Sequence, residues 1–548
     1  MKKGIITLLL IITCLCLNCI TLKGEVINKV VKNLISDYQK FSLESGDDVV
    51  LTDEVIVQVK LDEEDFEDKT LINPDDQKAY RQAAKEYYSE LNSNYFSNID
   101  LINYESAYIS KYSPYIEFKY NREEYYNLEN YIVNELNNNE YVEMAYIKDN
   151  INNKVGNVNL SMRVAGAWDQ YNNPEYTGEG IVVGVLELGL VDASHAAFAN
   201  TTVQVYEQGG EIEHVEDHST LMAAYIAGYD GVAPDATILS AYLLDTMVNE
   251  IDWMLDNDVN IINMSFGDAN PTGDYSADSA YCDYIVKQYK VTIVVSAGNF
   301  GKTTALVSNP GLGYNVITVG SVGYNEGIMN FSSYVENLTA PKPTIMANGD
   351  QVISNSVYKL ASGTSCSAAI TSGIISLLME KYPLLKTRPE MVLAMVTQSA
   401  YLAGTANLYN NGFHEQYGAG LIRYDNFINN YNNYTSILNL NGRSGVFIHQ
   451  HEVYLEAGTT FKASIAWTAY ATGTVSQTRF TDYDLYLTNS SGVDVKTAVS
   501  VDSNIEIVRY EVTESGYYKL KIKQTGTIKK PNEYIYIAMG EAAESVFD

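Results

Sequence analysis

The chain has 548 residues, 46% of them hydrophobic, with 45 tyrosines and a formal net charge of −32 at pH 7. That length exceeds what one hydrophobic core supports and predicts about three folded units, and the composition excludes a disordered chain. An excess of 68 acids over 36 bases argues against nucleic acid and anionic membranes as partners.

Lys2 and Lys3 open an almost wholly apolar stretch, 4–17, which reads as a secretory signal covering residues 1–24. The expected location is therefore secreted and extracellular. Cys19, preceded by Leu17 and Asn18, offers a second reading as an acylated cysteine that would anchor the chain at the cell surface. The apolar stretch is too short to favour a permanent span, and no second run approaches twenty residues, so no integral membrane domain is expected. Cys14, Cys16 and Cys19 fall in or beside the signal, leaving Cys282 and Cys366 in the body. Two cysteines are not a disulfide framework, and spacing does not decide whether they pair.

Residues 25–150 alternate as strand 54–61, helix 75–91, strands 101–109 and 115–120, helix 122–136 and strand 142–147. The second helix carries Tyr125, Leu128, Ile132 and Leu136 at helical spacing. The order is that of a ferredoxin-like α+β unit. A polar linker at 150–156 follows. Residues 155–430 then alternate buried-looking strands at 181–186, 237–243, 259–264 and 291–296 with helices at 219–227, 248–257 and 279–288. That pattern predicts an α/β domain with a parallel sheet flanked by helices. Residues 435–548 carry short alternating strands at 446–449, 460–467, 483–487, 505–512 and 517–522, which read as an all-β sandwich.

The chemistry gathers in four loops of the α/β domain. Glu187-Leu188-Gly189 follows the first strand, and Asp217-His218-Ser219-Thr220 opens a helix expected from Leu221. Ser296-Ala297-Gly298-Asn299 ends the strand 291–296. Gly363-Thr364-Ser365 delivers a serine toward an apolar helix at 370–379. A carboxylate, an imidazole, a side-chain amide and a hydroxyl are the parts of a Ser-His-acid machine with an oxyanion hole. A hydroxyl at a helix N-terminus also sits beside free N–H groups and the positive end of the helix dipole. Taken alone, Gly-Thr-Ser before a helix is more often a cap than a nucleophile, and a lone histidine is more often structural.

Residues 155–430 resemble a subtilisin-like (subtilase) serine protease. Gly231-Val232-Ala233-Pro234-Asp235-Ala236, Ile262-Asn263-Met264-Ser265-Phe266-Gly267, Asn315-Val316-Ile317-Thr318-Val319-Gly320, Asn330-Phe331-Ser332-Ser333 and Tyr417-Gly418-Ala419-Gly420 carry the resemblance in order. Glu187, His218, Asn299 and Ser365 are separated by 31, 81 and 66 residues, intervals compatible with that family. The resemblance implies Ser365 as nucleophile, His218 as general base and acid, and Asn299 with the Ser365 N–H as oxyanion donors. It implies that Ser265, Phe266 and Gly267 pair with an extended peptide, with Ala297 and Gly298 lining the pocket before the scissile bond. It implies no catalytic metal or cofactor, structural calcium as a family habit, and protein or peptide substrates.

The chain departs from the family at the acid, where Glu187-Leu188-Gly189 replaces Asp-Thr-Gly or Asp-Ser-Gly. Asp192 is a substitute acid several residues downstream. Ser219, Leu221 and Ala369 are lesser departures that remove no reacting group. By the same resemblance, 25–150 is an inhibitory propeptide acting on its own chain, and 435–548 is the tail some subtilases carry. In that tail Asp482 and Asp484 offer oxygen ligands suited to calcium, or else a solvated face. The expected function is a secreted serine endopeptidase. Its rivals are a catalytically impaired relative that binds polypeptides and an exported binding or adhesion protein.

Overall fold

The computed structural model describes four strands between residues 52 and 148, scattered helical positions between 86 and 96, and most of residues 157–546. Within 157–546 the exceptions are 168–169, 171–173, 207–214, 244–246, 270, 302–305, 335–341, 351, 355–358, 403–407, 440–443, 472–479 and 527–532. The signal stretch with Cys14, Cys16 and Cys19, the expected helix 122–136 and the expected linker at 150–156 lie outside the described residues. The chain divides into two compact units, Met1–Asn153 and Lys154–Asp548.

The first unit holds β1 (Thr52–Val59), β2 (Ser106–Ile109), β3 (Tyr115–Asn121) and β4 (Val142–Lys148) in the order β2-β3-β1-β4. All three pairings are antiparallel, with Val55 opposite Phe118 on one side and Ile147 on the other. Thus β3 lies between the mutually parallel β1 and β2, and β1 lies between β3 and β4. This is the sheet of the ferredoxin-like split βαβ pattern.

The second unit is built on a seven-stranded parallel sheet. Its strands are β5 (Val182–Glu187), β6 (Val203–Val205), β7 (Thr237–Tyr242), β8 (Ile261–Met264), β9 (Thr292–Ser296), β10 (Ile317–Val322) and β11 (Ile345–Asn348). The order is β11-β10-β9-β8-β5-β7-β6, with every pair parallel. The helices are α1 (Asn157–Val164), α2 (Asp217–Ala227), α3 (Val248–Asp256), α4 (Ala277–Tyr289), α5 (Thr364–Lys381), α6 (Pro389–Ser399) and α7 (Tyr424–Asn430). Alternate strand residues bury on opposite faces. Val183, Val185 and Val294 join α2, α5 and α6, whereas Leu186, Ile293 and Val295 join α3 and α4. Such strands read as continuous apolar runs because both faces are covered. The short β6 and the strands β10 and β11 complete the sheet beyond the four strands expected.

The first strand, β5, sits inside the sheet, between β8 and β7. From β5 the chain crosses to the edge strand β6, comes back to β7 on the same side, and then passes to the other side at β8. At such a switch point the carboxyl ends of the strands open a crevice. A small hairpin, β12 (Val352–Ser354) with β13 (Lys359–Ala361), leads into α5.

The C-terminal region is a two-sheet antiparallel sandwich. Its strands are β14 (Tyr434–Asn439), β15 (Val446–Leu455), β16 (Thr460–Trp467), β17 (Tyr483–Thr488), β18 (Asp494–Ala498), β19 (Ile505–Glu511), β20 (Gly516–Gln524) and β21 (Glu533–Glu541). They pair as β14-β21-β16-β19 and β15-β20-β17-β18. Phe461, Ile465, Trp467, Tyr483, Leu485 and Leu520 fill the space between the sheets. The outer face of the first sheet is also buried: Ala466, Ile505, Ile507, Tyr536 and Ala538 share one core with α6 and the parallel sheet. Among the described residues, no helix is long and apolar enough to cross a membrane.

Candidate active site

Glu187 is the last residue of β5, at the switch point, and only 1% exposed. Its Oε2 stands 3.3 Å from Nδ1 of His218, and its Oε1 accepts the N–H of Ser265 at 3.0 Å. The carboxylate therefore holds the imidazole from one side and is itself held from the other. Leu188 is 57% exposed and takes no part in this. The second donor to the acid comes from the β8 side, not from the residue after it. Asp192 is occupied in its own turn, where Oδ1 accepts from the N–H and hydroxyl of Ser194.

His218 lies within the first turn of α2, which begins at Asp217 and not at Leu221. Thr220 tethers this turn to the loop after β5, accepting from the N–H of Asp192 at 3.0 Å and donating to the carbonyl of Glu216 at 2.9 Å. The imidazole is 41% exposed toward solvent while its acid is sealed beneath. Of the lesser departures, Leu221 and Ala369 are buried among apolar neighbours.

Ser365 occupies the first turn of α5, which starts at Thr364, several residues before the apolar stretch that announced it. Ser/Thr-rich segments favour caps and turns because their hydroxyls compete with the helix backbone. Here burial outweighs that preference, since every residue from Thr364 to Met379 is buried. Gly363 precedes the helix without a side-chain cap. Asn299 supplies one from the next loop: its Oδ1 accepts both the N–H and the hydroxyl of Thr364, each at 2.9 Å. The Thr364 hydroxyl in turn accepts the N–H of Gly298 at 3.1 Å. With its oxygen committed, Asn299 presents its NH₂ on the side where Gly363 lies. The N–H of Ser365, in the first helical turn, has no intrahelical partner.

Ser265 joins the parts. Its N–H goes to Glu187, its hydroxyl donates to the Ser365 carbonyl at 3.2 Å, and its carbonyl accepts the Ser365 hydroxyl at 3.0 Å. Beneath it, Asn263 donates to the Ser265 hydroxyl at 2.8 Å and accepts from the hydroxyl of Ser372 at 3.0 Å. Asn263 and Ser372 were not expected at the site. A signal existed: Asn263 and Ser265 are polar at period two in an apolar strand, and Ser365 and Ser372 are two helical turns apart on one face.

Past Ser265 the chain runs through half-buried Phe266 to exposed Gly267, so an extended segment leaves the sheet beside the hydroxyl. Ala297 is fully buried. Gly298 has φ +105°, and a Cβ there would stand 2.8 Å from the Ser308 hydroxyl. A Cβ on Gly267 would stand 2.4 Å from the Ser308 Cβ. Both glycines are thus required by close approach to Ser308, which sequence reasoning had not singled out.

Cys282 and Cys366 are both free and buried, so they do not pair. Burial pushes the Cys366 thiol up to about 12, so the neighbour of Ser365 is no thiolate nucleophile.

The model of the subtilase family matches residues 178–420. Residues 178–420 belong to the subtilase family. Among curated relatives, Subtilisin NAT of Bacillus subtilis subsp. natto is 28% identical over 271 residues, covering 45% of this chain and 65% of that protein. The thermostable alkaline protease of Halalkalibacterium halodurans is 25% identical over 260 residues, covering 44% of this chain and 68% of that protein. The chain thus spans just under two thirds of the length of Subtilisin NAT and of Subtilisin E of Bacillus subtilis. Among solved structures, the prenylagaramide maturation protease PagA has 22% identity and a TM-score of 0.39, covering 45% of this chain and 93% of that one. The subtilase domain here corresponds to the parallel-sheet part of the second unit.

Proposed function

We propose that the chain is a secreted serine endopeptidase that cleaves peptide bonds through an acyl-enzyme on Ser365. The observation that carries this reading is the buried Glu187 carboxylate 3.3 Å from His218 Nδ1. That contact fixes the imidazole so that Nε2 is the atom left to take and return a proton.

A substrate backbone pairs with the segment 265–267, and its N–H takes the Ser265 carbonyl. The Ser365 hydroxyl, which now donates to that carbonyl, is thereby released to His218. Oxygen attack on the substrate carbonyl passes the serine proton to His218, and Glu187 stabilises the imidazolium. The developing oxyanion takes the Ser365 N–H and the Asn299 NH₂, whose orientation Thr364 sets. His218 then protonates the leaving amine, and water hydrolyses the acyl-enzyme by the reverse proton path. No metal enters these steps. Residues 25–150 act as an inhibitory propeptide removed by cleavage near 148–156, a role supported by the ferredoxin-like sheet of the first unit. The basic and apolar segment 2–17 supports export.

The test is labelling of the processed protein with a fluorophosphonate, alongside Ser365→Ala. Label on the wild type alone is expected. An unlabelled wild type, once freed of residues 25–150, would leave a polypeptide-binding domain without catalysis.

A further inference from the structure

Asn263 lies within β8, between Val185 of β5 and Val294 of β9, and is fully buried. Its neighbours Ile262 and Met264 join the core on the α3 and α4 face, and Ile261 joins the core on the α5 face. By the alternation of a strand, Asn263 shares the face of Ile261. Packing alone calls for an apolar residue there, as in the strands on either side. A buried amide is costly unless its polar atoms are bonded. Here both ends are engaged: Nδ2 donates to the Ser265 hydroxyl at 2.8 Å, and Oδ1 accepts from the Ser372 hydroxyl at 3.0 Å.

Ser372 is fully buried in α5, about two turns beyond Ser365 on the same face. The β8 segment thus holds the helix at two points. Asn263 takes the Ser372 hydroxyl, and Ser265 donates its own hydroxyl to the Ser365 carbonyl at 3.2 Å. Two anchors on one face fix both the axial position and the rotation of α5, whereas a single anchor leaves the helix free to turn about it. The same Ser265 gives its N–H to Glu187 Oε1 at 3.0 Å. The hydroxyl and the acid come from different elements, α5 and β5, and β8 is the strand beside β5. The path Ser372–Asn263–Ser265 therefore carries the register between them.

We propose that Asn263 and Ser372 are positioning residues that hold the helix bearing Ser365 in register with Glu187 and His218. They act through Ser265 and touch neither substrate nor reacting atoms. This role rests on Ser365 as nucleophile and Glu187–His218 as its acid–base pair.

The test uses the full processed chain. When both partners of a buried hydrogen bond give way to apolar groups of similar shape, stability changes little. Asn263→Leu combined with Ser372→Ala is therefore expected to keep a thermal midpoint near that of the wild type. Ser372→Ala alone should lower kcat for a peptide about fivefold, the worth of one net hydrogen bond, with KM little changed. In the Asn263→Leu background the same substitution should cost nothing further, because the two residues act as one unit. The rate of fluorophosphonate labelling should fall by the same factor as kcat. That probe has no peptide backbone to pair with 265–267, so its loss cannot come from substrate docking. Ser376→Ala is the control: its hydroxyl is equally buried, but it bonds the Ser372 carbonyl at 2.8 Å within the helix, and kcat should not change. Ser372→Ala with this control keeps the test open if Asn263→Leu does not fold. An active wild type whose Ser372→Ala variant keeps its kcat and labelling rate overturns the proposal alone. An equal loss in Ser376→Ala also overturns it, because the effect would then be one of helix packing. A wild type that neither labels nor cleaves peptide overturns the reading of the site beneath it as well.

Discussion

At Glu187 the extra methylene is taken up by where the partners stand. The carboxylate reaches His218 with one oxygen and the Ser265 N–H with the other while its backbone stays in register in β5. Glu187→Asp draws the carboxylate back by one C–C bond from both partners. The expected result is a loss of kcat of about 10²-fold with little change in KM, read by steady-state peptide hydrolysis. A gain would show that the glutamate handicaps the site. The acid, base, amide and hydroxyl were legible in the sequence because each is a reactive type at a strand or helix end. Ser265 was legible only as a substrate contact. Its tie to Glu187 spans 78 residues and its tie to Ser365 spans 100, and no local pattern encodes such pairs.

At the scale of the element, α5 matters most. It is buried from Thr364 to Met379, its serine and threonine hydroxyls included, and Gly373 lets it approach Val232, whose Cβ a side chain there would meet at 2.5 Å. The sequence pattern places its start late because Thr364, Ser365 and Ser367 are poor helix formers, and tertiary burial makes this turn helical. The Thr364 hydroxyl bridges Asn299 and Gly298 across that start. Thr364→Val removes a donor and an acceptor while keeping the shape. A net hydrogen bond is worth about 1 kcal/mol, so kcat should fall about fivefold with the midpoint of unfolding little changed. A fall in KM alone, with kcat intact, would separate Thr364 from the orientation of Asn299.

Across the whole molecule, the sandwich is joined to the subtilase domain by polar as well as apolar contacts. Lys462 of β16 is buried and donates to the carbonyls of Ala400 at 2.7 Å and Ala419 at 3.0 Å. Thr397 of α6 meets Ser464 at 2.8 Å. Burial, and then Arg509, hold the Lys462 ammonium well below its ordinary value of 10.5. The folded state therefore binds fewer protons than the unfolded one, and stability rises with pH between the depressed value and about 10.5. Lys462→Met should flatten that part of the stability curve, as measured by denaturant unfolding from pH 7 to 10. An unchanged slope would place the ammonium in water. The alternation of the sandwich strands was readable in the sequence, but their docking was not, since α6 and β16 show only that each has an apolar face.

The shared core also bears on how such a protein can be recombined. Ile505, Ile507, Tyr536 and Ala538 close the layer over α6, so the last hundred or so residues are not a cartridge that clips on at 434. A chimera that exchanged the tail alone would mismatch two halves of one packing surface. The workable seam lies upstream of 389, and α6 has to travel with the tail it was shaped against.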